Sequence, residues 1–149
     1  MRSSTNISFR NRVGFIAWWL FWLLLTACIV HRFGFEWRTS FIDAGITNLM
    51  LTITTAASSN ALRYYQPGGK NYVFHLGWII ALSVLVVVGT KYALLEIFKS
   101  ESDYLLFLEH SLPIRFTYAL LMNAFASMAC WISYLLSEQK KHDARKLDA

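Results

Sequence analysis

The sequence predicts an all-α integral membrane protein, a four-helix bundle whose last helix extends into the cytoplasm. The first observation is composition: the 149 residues are 56% hydrophobic and 15% charged, whereas an ordinary soluble domain is about one-quarter charged. The second is that four apolar segments each approach 20 residues. The third is that basic residues gather at the ends of those segments. A chain this short has too little interior to hide so much apolar surface from water.

The four apolar segments set the predicted spans, because a bilayer core of about 30 Å needs about 20 helical residues with every backbone group paired. They are residues 13–30, 41–62, 73–95 and 113–136. The first is long, rich in Trp and lacks a small-residue cleavage site, which favours an uncleaved anchor over a signal peptide. Residues 1–136 therefore form one transmembrane domain, and residues 137–149 begin a cytoplasmic helix or linker.

The connections between the spans are polar. Residues 31–38 form an aromatic turn suited to the lipid headgroup level, and residues 63–70 contain helix breakers. Residues 99–112 carry three acidic side chains and are expected to be a loop. Pro113 is then expected to begin the last helix, where its missing N–H costs nothing.

The distribution of Lys and Arg orients the chain. With the N-terminus inside, nine of the 14 basic residues fall on the cytoplasmic side and five on or near the other side. The positive-inside rule then predicts a multi-pass protein of the plasma (bacterial inner) membrane with both termini in the cytoplasm. The basic residues form no stripe on a folded face, so nucleic acid is not an expected partner.

The sequence contains no motif typical of soluble enzymes, and we predict no catalytic residue, metal or cofactor in this chain. Cys28 and Cys130 lie within apolar runs and have no zinc-like spacing. His31, His75 and His110 fall at different depths, so they do not provide the two facing imidazoles that haem requires. No phosphate loop or nucleophile elbow is present.

The second span is the most polar. Asn48, Thr52, Thr55 and Ser59 follow helical spacing, and Asp43, Thr47, Thr54 and Ser58 run beside them. One helix face is therefore lined with hydroxyls, an amide and, at one end, a carboxylate. We interpret this face as a packing interface, since small and hydroxylated residues let membrane helices approach closely. A pore or ligand pocket is the alternative. The ionisable residues of the spans lie near their ends, where snorkelling and interface pairing account for them: Asp43, Lys91, Glu96 and Arg115.

The last segment changes from apolar to charged without a helix breaker after Pro113. The i, i+3 pairs Glu138–Lys141 and Asp143–Lys146 support a solvated helix, so the span is expected to continue as a rod. Leu136 and Leu147 hint at a coiled-coil seam, although two positions are too few to define one. A frayed charged tail is the alternative.

Several of these segments together resemble the N-terminal membrane region of LytS- or YehU-like sensor histidine kinases. They are Ala-Trp-Trp-Leu-Phe-Trp at 17–22, Phe-Ile-Asp-Ala-Gly at 41–45, Leu-Arg-Tyr-Tyr-Gln-Pro at 62–67 and Ser-Leu-Pro-Ile-Arg at 111–115. The charged helix that follows the last span completes the resemblance. In that family the linker leads to an Asn-Pro-His-Phe phosphoacceptor stretch and an ATP-binding domain, and neither occurs in this sequence.

The resemblance implies a sensory input and dimerisation module of a two-component system. It would act as a homodimer and signal through a kinase domain, absent from this chain, to a response regulator. Its relay helix would include Arg115, Leu136 and Leu147. The competing hypothesis is a small four-helix transporter or channel subunit that uses the polar face of span two. A reading frame that continues past Ala149 into Asn-Pro-His-Phe would favour the kinase, and a stop codon there would favour the transporter.

Overall fold

The protein is all-helical, as the sequence predicts. The computed structural model describes the backbone of residues 4–64 and 72–147 and the side chains of residues 13–61 and 73–143. Four α-helices account for nearly all of this: α1 (Ser4–Arg32), α2 (Trp37–Tyr64), α3 (Tyr72–Ile97) and α4 (Ser102–Leu147). Most of the predicted turn at 63–70 lies outside the described residues, although its first two residues belong to α2.

Three of the helices are long and apolar enough to cross a membrane, which is consistent with a membrane location. They contain the segments Val13–Arg32, Val73–Ile97 and Ser102–Asp143. Helix α2 has 28 residues and is long enough, but its hydroxyls, amides and Asp43 make it less apolar than the others. The sequence predicts four spans, and α2 is the one that is not apolar enough by composition to be counted with the other three.

Helix α2 is the centre of the arrangement and packs against the three other helices. Its direction is opposite to that of α1 and α3 and the same as that of α4, so the turns after α1 and α3 lie at one end. No Cα atom of α1 comes within 8 Å of α3 or α4 among the described residues. The helices therefore do not form a closed ring, because α1 is held closely only by α2.

A tight turn joins α1 to α2. Helix α1 ends with hydrogen bonds from the Phe33 and Gly34 amides to the carbonyls of Val30 and His31, and Gly34 has a φ of 99°. A positive φ at this point is typical of a helix C-cap, where glycine avoids a steric penalty. The His31 ring stacks on Trp37 at 4.0 Å. The turn is shorter than predicted, because both helices extend into residues 31–38.

The expectation that Pro113 begins the last helix is wrong, and so is the expected loop at 99–112. Helix α4 begins at Ser102 and includes Pro113 in its interior. Residues 102–112 form about three turns of amphipathic helix rather than a loop, and Tyr104 and Leu108 are fully buried against Leu94. Pro113 forfeits one backbone hydrogen bond to Glu109, and the packing on both sides of it keeps the helix continuous.

Helix α4 is also continuous toward its C-terminal end, as predicted from the absence of helix breakers. It has 46 residues, which corresponds to about 69 Å at 1.5 Å per residue. From Ile132 to Asp143 every side chain except Glu138 is exposed. The predicted pair between Lys141 and Glu138 is present at 3.4 Å, whereas the Lys146 side chain lies outside the described residues.

Candidate functional site

A buried ion pair joins α2 to α4. The guanidinium of Arg115 donates from Nη1 to Oδ1 of Asp43 at 2.7 Å and from Nη2 to Oδ2 at 2.6 Å. This two-pronged geometry is the strongest that Arg and a carboxylate form. The Asp43 side chain is 0% exposed and that of Arg115 is 12% exposed. Snorkelling therefore does not describe these two residues, although they do pair.

Neighbouring hydroxyls complete the coordination of the pair. Arg115 Nε donates to Oγ of Ser111 at 2.9 Å, and Nη1 also donates to Oγ1 of Thr47 at 3.2 Å. The Thr47 hydroxyl in turn donates to Oδ1 of Asp43 at 3.2 Å. Each of these residues lies one helical turn from the charge that it supports, so helix geometry alone brings them together.

Aromatic rings cover the pair on the side of the turns. The Arg115 guanidinium lies 6.0 Å from the centroid of Phe107, the distance of a cation–π contact. Tyr104 is 1% exposed and packs against Phe98 with centroids 4.5 Å apart and against Phe35 at 5.4 Å. Its hydroxyl lies close enough to both charges to interact with them electrostatically, without a hydrogen bond of standard geometry. The pair is thus shielded from water.

Burial makes the Asp43–Arg115 pair a strong constraint between the two helices, which we call the lock. Removing water from two charges costs several kcal/mol of free energy, and their mutual attraction offsets that cost only when the geometry is good. Losing one partner leaves an unpaired buried charge, which costs about 3–5 kcal/mol. Helices α2 and α4 are therefore held in one register at this level, and a change in either charge should be felt by both helices.

A series of weaker polar contacts continues along α2 and α4, on the C-terminal side of the ion pair in both helices. Thr54 donates to Oδ1 of Asn123 at 3.1 Å, and Asn123 donates to the Ser83 hydroxyl of α3 at 3.3 Å. One turn further, the hydroxyls of Ser58 and Ser127 lie 2.9 Å apart. Small and hydroxylated residues permit this close approach. The α2–α4 contact is therefore polar along most of its length.

The predicted polar face of α2 is divided between two neighbours. Thr52 accepts a hydrogen bond from Nε1 of Trp19 on α1 at 3.2 Å, and Ser59 lies 3.2 Å from Sγ of Cys130 on α4. Asn48 is buried and donates to the Ala44 carbonyl of its own helix, while Thr55 is half-buried.

The second row of that face makes the principal contacts with α4, namely Asp43, Thr47, Thr54 and Ser58. Polar side chains therefore surround much of α2 instead of lining one face. Of the partners on α4, the sequence reasoning named Arg115 but missed Ser111, Asn123 and Ser127. All four residues lie on one row with four-residue spacing, completed by Ala119, and that spacing is the signal that could have found them.

The other ion pairs that the structure describes are more exposed to solvent. Lys91 lies 3.7 Å from Glu109, with side chains 32% and 64% exposed, and Lys99 lies 2.6 Å from Glu96 near the α3–α4 turn. Exposed pairs of this kind contribute little. Leu136 is exposed on α4, and Leu147 is its last residue, with a side chain outside the described set. Within the described residues, no three His, Cys, Asp or Glu side chains gather as metal ligands would.

Comparisons with protein-family models, curated proteins and solved structures find no match to this chain.

Proposed function

We propose that the chain is a membrane-embedded input module that passes a signal along α4 to a cytoplasmic output domain. The observation that carries this proposal is the combination, in one unbroken helix, of a buried charge locked to α2 and a solvated, charged end. Arg115 is in the first third of α4, and the exposed stretch begins about 25 Å further along the axis at Ile132. A rigid helix couples displacements at these two levels.

The dimensions of α4 support this role. A bilayer core is about 30 Å thick, whereas the 46 residues of α4 extend to about 69 Å. More than half of the helix therefore lies outside the hydrocarbon. In the proposed topology both termini are cytoplasmic, and α2 also crosses the membrane, in addition to the three apolar helices. The three apolar helices would shield its polar side chains from lipid, as membrane helices with internal hydrogen bonds require.

The nature of the output follows from the resemblance of the sequence to sensor histidine kinases. We propose a homodimeric two-component sensor whose kinase domain and response regulator act downstream of α4. The transporter alternative has less support, because the α2 hydroxyls that would line a polar path are bonded to α1 and α4. Direct bonding of this kind is typical of packing interfaces.

A chimera tests the proposal. Residues 1–149 are fused, with the helix continuous, to the dimerisation and catalytic domains of a histidine kinase, and autophosphorylation is measured in membranes. Arg115→Gln and Asp43→Asn should shift output several-fold and in the same direction, because both break the same bonds. Lys91→Gln, which disrupts an exposed pair, is the matched control and should leave output unchanged. Equal output from all four proteins, at equal membrane levels, would contradict the proposal.

A further inference from the structure

A cleft of about 430 Å³ separates α1 from α4. Its two ends are closed by ring contacts between the helices. Trp22 meets Tyr118 with centroids 5.8 Å apart, and near the turns Phe33 meets Phe107 at 5.2 Å. Between these contacts no Cα atoms of α1 and α4 lie within 8 Å of each other in the described residues, so the cleft opens sideways, and Thr47 of α2 borders it.

The walls of the cleft are almost entirely apolar. Leu25 and Ile29 line it from α1, and Ile114 lines it from α4. Five polar residues also border it, namely Thr26, Thr47, His110, Ser111 and Arg115. The first four already have hydrogen-bond partners on their own helices, and the Arg115 charge is neutralised by Asp43 in a two-pronged bond. The cleft therefore offers neither the excess charge that an anionic head group needs nor the polar wall that a sugar or amino acid needs. Water is also a poor occupant of an apolar cavity.

The dimensions of the cleft select its occupant. Eleven residues separate Trp22 from Phe33, which gives a length of about 16 Å. This is about half of a bilayer core of about 30 Å, and Trp22 lies at the middle of the apolar segment Val13–Arg32. Dividing 430 Å³ by this length gives a mean cross-section of about 27 Å², which is that of a passage about 6 Å wide. Such a passage admits one hydrocarbon chain, because carbon atoms pack about 4 Å apart.

A helix from a second copy is a poor fit, because a helix with its side chains is about 10–12 Å across, wider than this passage. An empty cleft is also unfavourable, because its walls would lose their dispersion contacts.

We propose that the cleft binds one acyl chain of a membrane phospholipid from the leaflet on the side of the α1–α2 and α3–α4 turns. The chain enters sideways between α1 and α4 and lies against the Asp43–Arg115 pair, and the head group stays at the membrane surface. This inference rests on the membrane insertion of the proposed function, but not on its signalling role.

Photolabelling in nanodiscs tests the proposal. The probe is phosphatidylglycerol with a diazirine in the middle of one acyl chain, and adducts are mapped by mass spectrometry. Adducts should concentrate on the cleft residues Leu25 and Ile114, above the yield on apolar residues outside the cleft that are at least as exposed, namely Leu24 and Phe125 on the same two helices and Leu85 on α3. Labelling of α3 alone reports membrane insertion, so it would overturn the acyl-chain proposal while leaving the proposed function intact.

Cleft-filling variants give the second arm. Leu25→Trp should lower the yield of cleft adducts about tenfold, which corresponds to about 1.4 kcal/mol. Ile114→Trp fills the cleft from the opposite wall and should do the same if the first variant folds poorly. Leu24→Trp is the matched control, since Leu24 is exposed and lies outside the cleft, and it should change nothing.

Other occupants give distinct results. Cleft labelling by a diazirine-bearing free fatty acid but not by the phospholipid would overturn the proposal. So would cross-linking of a photoreactive residue at position 25 to a second copy of the chain, with lipid excluded.

Discussion

Breaking the Asp43–Arg115 pair one residue at a time, and then together, gives the sharpest energetic prediction. Asp43→Leu removes bonds of 2.7 and 2.6 Å and leaves the guanidinium with only the Ser111 and Thr47 hydroxyls. Hydrogen bonds to charged groups contribute about 1.5–3 kcal/mol each, and loss of one partner of a buried pair costs about 3–5 kcal/mol. We therefore expect each single variant, Asp43→Leu or Arg115→Met, to lose about 3–5 kcal/mol of unfolding free energy.

The double variant should recover most of that loss, because neither charge remains unpaired. Replacing a buried pair by apolar residues is often neutral or stabilising, so the double variant should lie within about 1 kcal/mol of wild type or above it. Steric trapping in bilayers measures the four unfolding free energies, and the coupling energy should be at least about 5 kcal/mol. The same cycle on Lys91 and Glu109, a pair 3.7 Å apart with exposed side chains, should give about 0.2–1 kcal/mol. A coupling below about 1 kcal/mol for Asp43 and Arg115 would refute the lock.

Two further predictions follow from the packing, and one follows from the distribution of basic residues. Asn123→Ala removes bonds to two other helices and should cost about 0.6–2 kcal/mol in the same assay, whereas Asn60→Ala, at an exposed position, should cost nothing measurable. A Cβ at Gly89 would lie 3.2 Å from the sulfur of Met50, so Gly89→Leu should cost about 1–3 kcal/mol, while Gly77→Leu meets open space and should not destabilise. A single cysteine at position 103, in a cysteine-free background, should be labelled by an impermeant reagent in intact cells. Cysteines near either terminus should react only after permeabilisation, and the reverse pattern would invert the topology.

The helices themselves were predictable because each is encoded locally. Runs of apolar residues of bilayer length specify α1 and α3, and the absence of Pro and Gly after Pro113 specifies the long C-terminal part of α4. The start of α4 was not predictable in the same way. Charges at 101–110 read as a loop, but they occupy the solvent side of a helix whose other side, with Tyr104 and Leu108, is buried against α3. Only tertiary packing reveals that distinction.

The residues of the candidate site were partly predictable from local sequence, whereas their contacts with other helices were not. Helical spacing identified a polar α2, and Asp43 and Arg115 were recognised as intramembrane charges. Their direct pairing depends on the register between α2 and α4. The two residues are 72 positions apart in sequence, so no local pattern predicts the pairing. The cleft between α1 and α4 is a property of the space between helices, and it leaves no trace in the spacing of residues on either one.

The central claim is that α4 transmits a signal as a rigid rod, and insertions near Ser137 in the kinase chimera test it most directly. One added residue turns everything downstream by about 100°, whereas seven residues add nearly two whole turns and restore the orientation to within about 20°. The rod predicts that autophosphorylation changes sharply with one residue and largely returns with seven. Equal output from the two insertions, at equal membrane levels, would contradict the account and reduce the exposed end of α4 to a tether.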